Sequence, residues 1–212
     1  MRRLALVVVC ALALPALAHA RSSFYADKPL PTRDGVTSIS RVEPRFGRVA
    51  SSVAGKPAQV RCWSPLDWAR INGDLLAHGG ARESLDYVSG FYWPTNGRIH
   101  LDPTACAGLV DLTYRGLRPD RGRTLARIAL AVDTLAHESM HRRGFVNEAV
   151  TECYAVQLNY RTATLLGASS SYAYRVAQQS WAAYPLHPPA YLSTECRNGG
   201  KLDLSPKRST WP

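Results

Sequence analysis

The 212-residue chain has no apolar run long enough to cross a membrane, no C-x-x-C pair, no internal repeat and no block of like charge. Each absence excludes something. A membrane helix needs about 20 apolar residues, and the longest stretch, from Leu4 to Leu14, is far shorter. Without C-x-x-C spacing, neither a redox dithiol nor a cysteine-based zinc site has support. The formal charge is +10, but its arginines are scattered and no basic strip is interleaved with aromatics, so specific nucleic-acid recognition has no footprint. Without repeats or a linker, the chain reads as one domain plus its N-terminal extension.

That extension reads as a secretory signal peptide over residues 1–20. Arg2 and Arg3 form the charged n-region, the Leu4–Leu14 run is the h-region, and Ala18-His19-Ala20 is the cleavage motif, with Arg21 as the new start. Val9, in front of Cys10, is not the small residue a lipoprotein site requires, so no membrane anchor is expected. The protein is therefore expected to be secreted and extracellular. Loss of Arg2 and Arg3 lowers the formal charge to +8. A basic exported surface would suit anionic cell-wall polymers as a non-specific partner.

Four cysteines remain: Cys62, Cys106, Cys153 and Cys196. An even count in an exported chain implies two disulfides. Pairing nearest in order gives Cys62–Cys106 and Cys153–Cys196, although sequence alone leaves three pairings open.

Residues 21–45 are polar and Pro-containing, and read as an extended or partly disordered arm. Residues 46–212 read as a single α+β domain, with a small sheet in the N-terminal half and a mainly helical C-terminal half. Phe46, Val49, Ala50 and Val53 recur at helical spacing before Gly55 and Pro57. A strand is expected over 58–62. A helix follows from Ser64 as N-cap and Pro65 at the first position, running to residue 76 or 77 before the His78-Gly79-Gly80 break. Residues 87–93 and 98–102 form a hairpin around Pro94-Thr95-Asn96-Gly97. Leu109–Tyr114 fits helix or strand equally. From Arg123 a long amphipathic helix carries the stripe Leu125, Ile128, Ala129, Val132, Leu135, Ala136 and Met140, ending at Gly144. Asn147 caps a second helix that runs to about Leu166, and Ser169–Ser171 starts a third.

Only one stretch speaks of chemistry: His137 to Ala155, HESMHRRGFVNEAVTECYA. His137 and His141, at i and i+4, project from one helix face and can reach a single Zn²⁺. Glu138, between them, can polarise a metal-bound water as general base. A short connection favours an antiparallel helical hairpin. If it turns at residue 144 or 145, Glu148 lies opposite His141 and Glu152 opposite His137. Glu148 is then the third ligand, and Glu152 can accept a hydrogen bond from the far nitrogen of His137. Two histidines, one glutamate and a water make an open site of the catalytic kind. His100, alone on its strand, is a weaker candidate for the cleft. His100, Tyr154, Tyr160 and His187 are the candidates for an oxyanion donor.

HExxH followed by ExxxE on the next helix resembles the gluzincin metallopeptidases. The run Glu148-Ala149-Val150-Thr151-Glu152-Cys153-Tyr154-Ala155 is similar to the E-x-x-A-D-C-Y-A run of the bacterial neutral zinc metallopeptidases. Carried over by position, the resemblance implies a zincin-like fold, with His137, His141 and Glu148 as zinc ligands, Glu138 as base and Glu152 supporting His137. It covers residues 134–155 only. Six residues separate His141 from Glu148, fewer than gluzincins usually insert. The HExxHxxG spacing is also similar to metzincins, whose third histidine would fall at Asn147, a poor zinc ligand. The expected function is a secreted zinc metallopeptidase acting on peptides or proteins. The alternative is an exported zincin-like protein that binds metal or wall material without efficient hydrolysis.

Overall fold

A computed structural model of the protein describes residues 40–77 and 88–207. The expected signal segment, the arm as far as residue 39, the break at 78–80 and Tyr87 lie outside the described residues. Six α-helices and a four-stranded sheet make up the described fold, which is mixed α/β and mostly helical. The strands are β1 (Arg41–Val42), β2 (Gln59–Cys62), β3 (Gly90–Trp93) and β4 (Arg98–Leu101). The helices are α1 (Pro44–Ala54), α2 (Pro65–Ala77), α3 (Pro103–Thr113), α4 (Gly122–Arg143), α5 (Glu148–Leu165) and α6 (Ser170–Ala183). Among the described residues, regular structure begins at Arg41, where β1 pairs antiparallel with β2, ahead of the first helical period near Phe46.

The sheet order is β1-β2-β4-β3. The hairpin β3–β4 forms as its turn residues require, but β4 inserts beside β2 in parallel and leaves β3 at the edge. Burial explains the choice. Ile99 and Leu101 of β4 are fully buried, whereas three of the four β3 residues are only half-buried, so β4 takes the interior place. Gly90 lets β3 lie tightly on α4: a Cβ there would stand 2.9 Å from the Thr134 methyl and from the His100 carbonyl oxygen.

The segment that fitted helix or strand is α3. All eight residues from Ala105 to Leu112 are buried, so it has no polar face and no amphipathic period to read. Its start was legible in chemistry: Asp102 accepts from the Ala105 N–H, and Pro103 occupies the first turn. On α3, Asp111 is buried and pairs with Arg115 at 3.2 Å and with Arg127 of α4, so neither ion pair leaves it uncompensated.

Helix α4 is central. It packs against α1, α3, α5 and α6, and touches β3 and β4. Ile128, Val132, Leu135 and Met140 are fully buried, each stabilising the fold by about 1.5–3 kcal/mol relative to exposure. That stripe fixes the rotation of the helix and thereby aims its neighbouring face. The C-terminal end of α4 is pinned as well: Arg142 Nε donates to the Pro57 carbonyl oxygen at 2.7 Å, and Lys56 Nζ donates to that of Arg143 at 2.8 Å.

Two disulfides close the structure, and they are the nearest-in-order pairs. Cys62 at the end of β2 joins Cys106 of α3, and Cys153 of α5 joins Cys196 of the C-terminal segment. Gln157, one turn beyond Cys153, holds that segment by donating to the Leu202 carbonyl oxygen and accepting from the Leu204 N–H, both at 2.8 Å. The disulfides are compatible with an extracellular protein. Among the described residues, no helix is long and apolar enough to cross a membrane.

Candidate metal centre

The site forms where α4 turns into α5. Gly144 takes φ +122°, a conformation that side chains disfavour, and its N–H bonds back to the Met140 and His141 carbonyl oxygens. Three residues later Asn147 caps α5, its side-chain oxygen accepting from the Val150 N–H at 3.0 Å. The two helices run antiparallel, and the expected oppositions are present.

Three atoms converge. His137 Nε2 and His141 Nε2 are 3.0 Å apart, and Glu148 Oε2 lies 3.1 Å from the first and 3.2 Å from the second. The outward nitrogens settle which protons are there. His141 Nδ1 donates to the Phe145 carbonyl oxygen at 2.8 Å, because a carbonyl can only accept. His137 Nδ1 is 2.8 Å from Glu152 Oε2 and donates to that carboxylate. In their neutral forms both rings therefore turn a bare lone pair inward, toward each other and toward a carboxylate oxygen. Three acceptors within this distance repel unless a cation or protons lie among them. Donors at about 2.0–2.1 Å from a tetrahedral zinc stand about 3.3–3.4 Å apart, only a few tenths of an ångström wider than this triangle. His137, His141 and Glu148 could hold a metal ion.

The electrostatics agree. Burial works against charge on His137, yet the hydrogen bonds to Glu148 and Glu152 and the charges of Glu138 and Glu152 outweigh it and raise its pKa to about 10. His141 is raised in the same way, burial opposing and Glu148 prevailing. Hydrogen bonds to the two histidines hold Glu148 down at about 2. Burial pushes Glu152 up, but its hydrogen bond to His137 and the His187 imidazole close beside it overcome this and lower it to about 2. The pocket attracts positive charge, whether as protons or as metal.

Glu138 is buried beside the triangle. The backbone N–H of Tyr92, on edge strand β3, donates to its carboxylate, and its Oε2 is buried without a partner. Burial raises its pKa above the ordinary carboxylate value, while the two histidines pull it down. An unpartnered oxygen on a partly basic carboxylate is what a proton acceptor needs.

The other sequence candidates separate. His100 is not in the metal cluster. Its ring stacks on Phe91 at 4.7 Å, its Nδ1 accepts from Trp63 Nε1 at 3.0 Å, and burial with Arg98 and Arg61 nearby lowers its pKa to about 3. Tyr154 meets Phe145 edge-on at 4.9 Å, and Tyr160 is exposed. His187 does reach the site, its Nδ1 3.0 Å from Glu152 Oε1. Tyr191, on the helical turn Pro189–Tyr191, lies with its ring 5.7 Å from that of His137. Sequence reasoning missed Tyr191, the Phe145 carbonyl and Asp133, which joins Glu152 and His187 in a second group. The first two carry no side-chain pattern. Asp133, four residues before His137 on the same helix face, carried a signal in its spacing.

No protein-family model, curated protein or solved structure matches the chain.

Proposed function

We propose that this chain is an exported zinc-dependent peptidase of gluzincin-like type, built on a zincin-like fold, with His137, His141 and Glu148 as ligands and Glu138 as general base. The observation that carries the reading is the triangle of three lone pairs with both histidine tautomers fixed from behind. Two imidazoles and one carboxylate, with the fourth direction open beside half-exposed Glu148, suit zinc in a catalytic setting.

Zinc bound there would activate a water and polarise a carbonyl. The protein's own groups do the rest. Glu138, held by the Tyr92 N–H, takes a proton from the attacking water and returns it to the leaving amine. Glu152 keeps the His137 ring in its tautomer and orientation. Strand β3 is an edge strand in the sheet, so a substrate in extended form can lie along it by main-chain pairing next to Glu138. This supports a peptide or protein as substrate over a small molecule.

The test combines metal analysis with a peptide-library cleavage assay. One tightly held zinc and a loss of about 10²–10⁴-fold in kcat/KM for Glu138→Gln, with zinc retained, are the expected results. Equal cleavage by wild type and variant sinks the mechanism and leaves a metal-binding protein.

A further inference from the structure

Glu152 has two carboxylate oxygens, and His137 uses only Oε2. The other, Oε1, points away from the first centre into a second group made of Asp133, Glu152 and His187, whose potential ligand atoms all lie within 4.8 Å of one another. Three separate parts of the chain supply them. Asp133 stands one turn before His137 on α4, Glu152 comes from α5, and His187 follows the helical turn Tyr184–Leu186. The peptidase mechanism uses neither Asp133 nor His187 directly.

Two carboxylates and one imidazole crowd together here, and burial, then the charge of Glu152, pushes the Asp133 carboxyl well above its ordinary range, so the group favours a proton or a cation between its oxygens. Asp133 and Glu152 are 6% and 3% exposed. Burying a carboxylate is costly unless it is matched, and two facing carboxylates add mutual repulsion. Asn159 relieves one Asp133 oxygen, its Nδ2 donating to Oδ1 at 2.6 Å. Glu152 Oε1 is buried without a hydrogen bond, with His187 Nδ1 beside it at 3.0 Å. A cavity of about 70 Å³ between α4 and α6 is lined by both Asp133 and His187, together with Leu130, Gln179 and Ser180. There is room beside Asp133 and His187.

We propose that Asp133, Glu152 and His187 form a second divalent-cation site, back to back with the first through the shared Glu152 carboxylate. Two carboxylates cancel the charge of one divalent ion, and the imidazole selects the class. Two acidic oxygens plus one nitrogen suit zinc or manganese, whereas calcium takes six to eight oxygens, which this group does not supply. Glu152 then serves both sites, with Oε2 accepting from His137 Nδ1 and Oε1 facing the second ion. The site stands on its own residues and does not require that the first centre hydrolyse peptides.

The test is metal stoichiometry on full-length mature protein, first stripped with chelator. The protein is then titrated with Zn²⁺ alone or Mn²⁺ alone, desalted and analysed for metal. Wild type is expected to hold two equivalents of at least one of these ions, and Asp133→Asn to hold one. His187→Gln, at a part-exposed position, carries the same expectation and decides the matter if Asp133→Asn does not fold. The double variant His141→Ala, Glu148→Gln is expected to lose the other equivalent and keep this one. A wild type that holds one equivalent, lost in the double variant and kept in His187→Gln, overturns the proposal, as does a second equivalent unaffected by His187→Gln. Failure of the first centre reads differently: the double variant would then bind as much metal as wild type.

Discussion

At the residue scale, the proposed function makes the cluster of His137, His141, Glu148 and Glu152 a competition between protons and metal. The pKa of His137, ordinarily 6.5, is raised to about 10 by its carboxylate partners. A ligand histidine must be unprotonated, so metal has to displace that proton. Apparent zinc affinity should therefore climb as pH rises from 5.5 to 7.5, by up to about 100-fold per unit if two protons leave. Titration against a chromophoric chelator measures the slope, and a flat profile would contradict the geometry. Chelator-stripped protein should behave in the opposite way. A raised histidine pKa stabilises the fold fully below about 6.5 and loses that contribution as pH climbs through 10. Glu148, lowered from 4.5 to about 2, contributes above about 4.5 and loses its share as pH falls through 2. The stripped protein should thus be favoured by its own cluster between about pH 4.5 and 6.5, with thermal melts showing a decline on the alkaline side that zinc removes.

At the element scale, the site is a helical hairpin whose turn chemistry positions Glu148, the proposed third ligand. Glu148 is the first residue of α5, directly after the cap Asn147. Asn147→Ala removes the bond to the Val150 N–H and should cost about 1 kcal/mol of stability. Because the fraying begins at Glu148, zinc affinity should fall as well, while Ser169→Ala at the equivalent cap of α6 should lower stability alone. Denaturant melts together with zinc competition separate the two effects. The ligand hairpin was legible in sequence for a physical reason: i,i+4 spacing, a glycine stop and a capping asparagine all act within a few residues. Helix α3 was not, because a segment buried on every side shows no period. The place of His100 was also hidden, since a strand histidine looks the same in sequence whether it faces a cleft or packs between Trp63 and Phe91.

At the scale of the whole molecule, the C-terminal segment is part of the site. Cys153 follows Glu152 directly, and its disulfide to Cys196 ties down the segment that delivers His187 and Tyr191. The bridge closes a separation of 43 residues, for which chain entropy gives about 4 kcal/mol. The Cys153→Ala, Cys196→Ala variant should lose about 2–4 kcal/mol in denaturant melts. It should keep the metal held by α4 and α5, because those ligands belong to a hairpin that the disulfide does not close. Loss of all bound metal in a folded variant would show that the C-terminal segment, and not the hairpin, holds the first centre together.

By itself, the sequence determined the hairpin from His137 to Glu152, the meeting of His137, His141 and Glu148, the contact of Glu152 with His137 and most of the helices. All of these follow from short-range spacing, caps and turns, which act between neighbours along the chain. Only the tertiary structure decided that β4 lies between β2 and β3, that Tyr92 holds Glu138, that the Phe145 carbonyl fixes His141, and that Asp133 and His187 meet Glu152 from its other side. Those contacts join elements far apart in sequence or fall on backbone atoms. What brings them together is burial of the α4 stripe against six other elements, and no local pattern records where such packing will place a distant side chain.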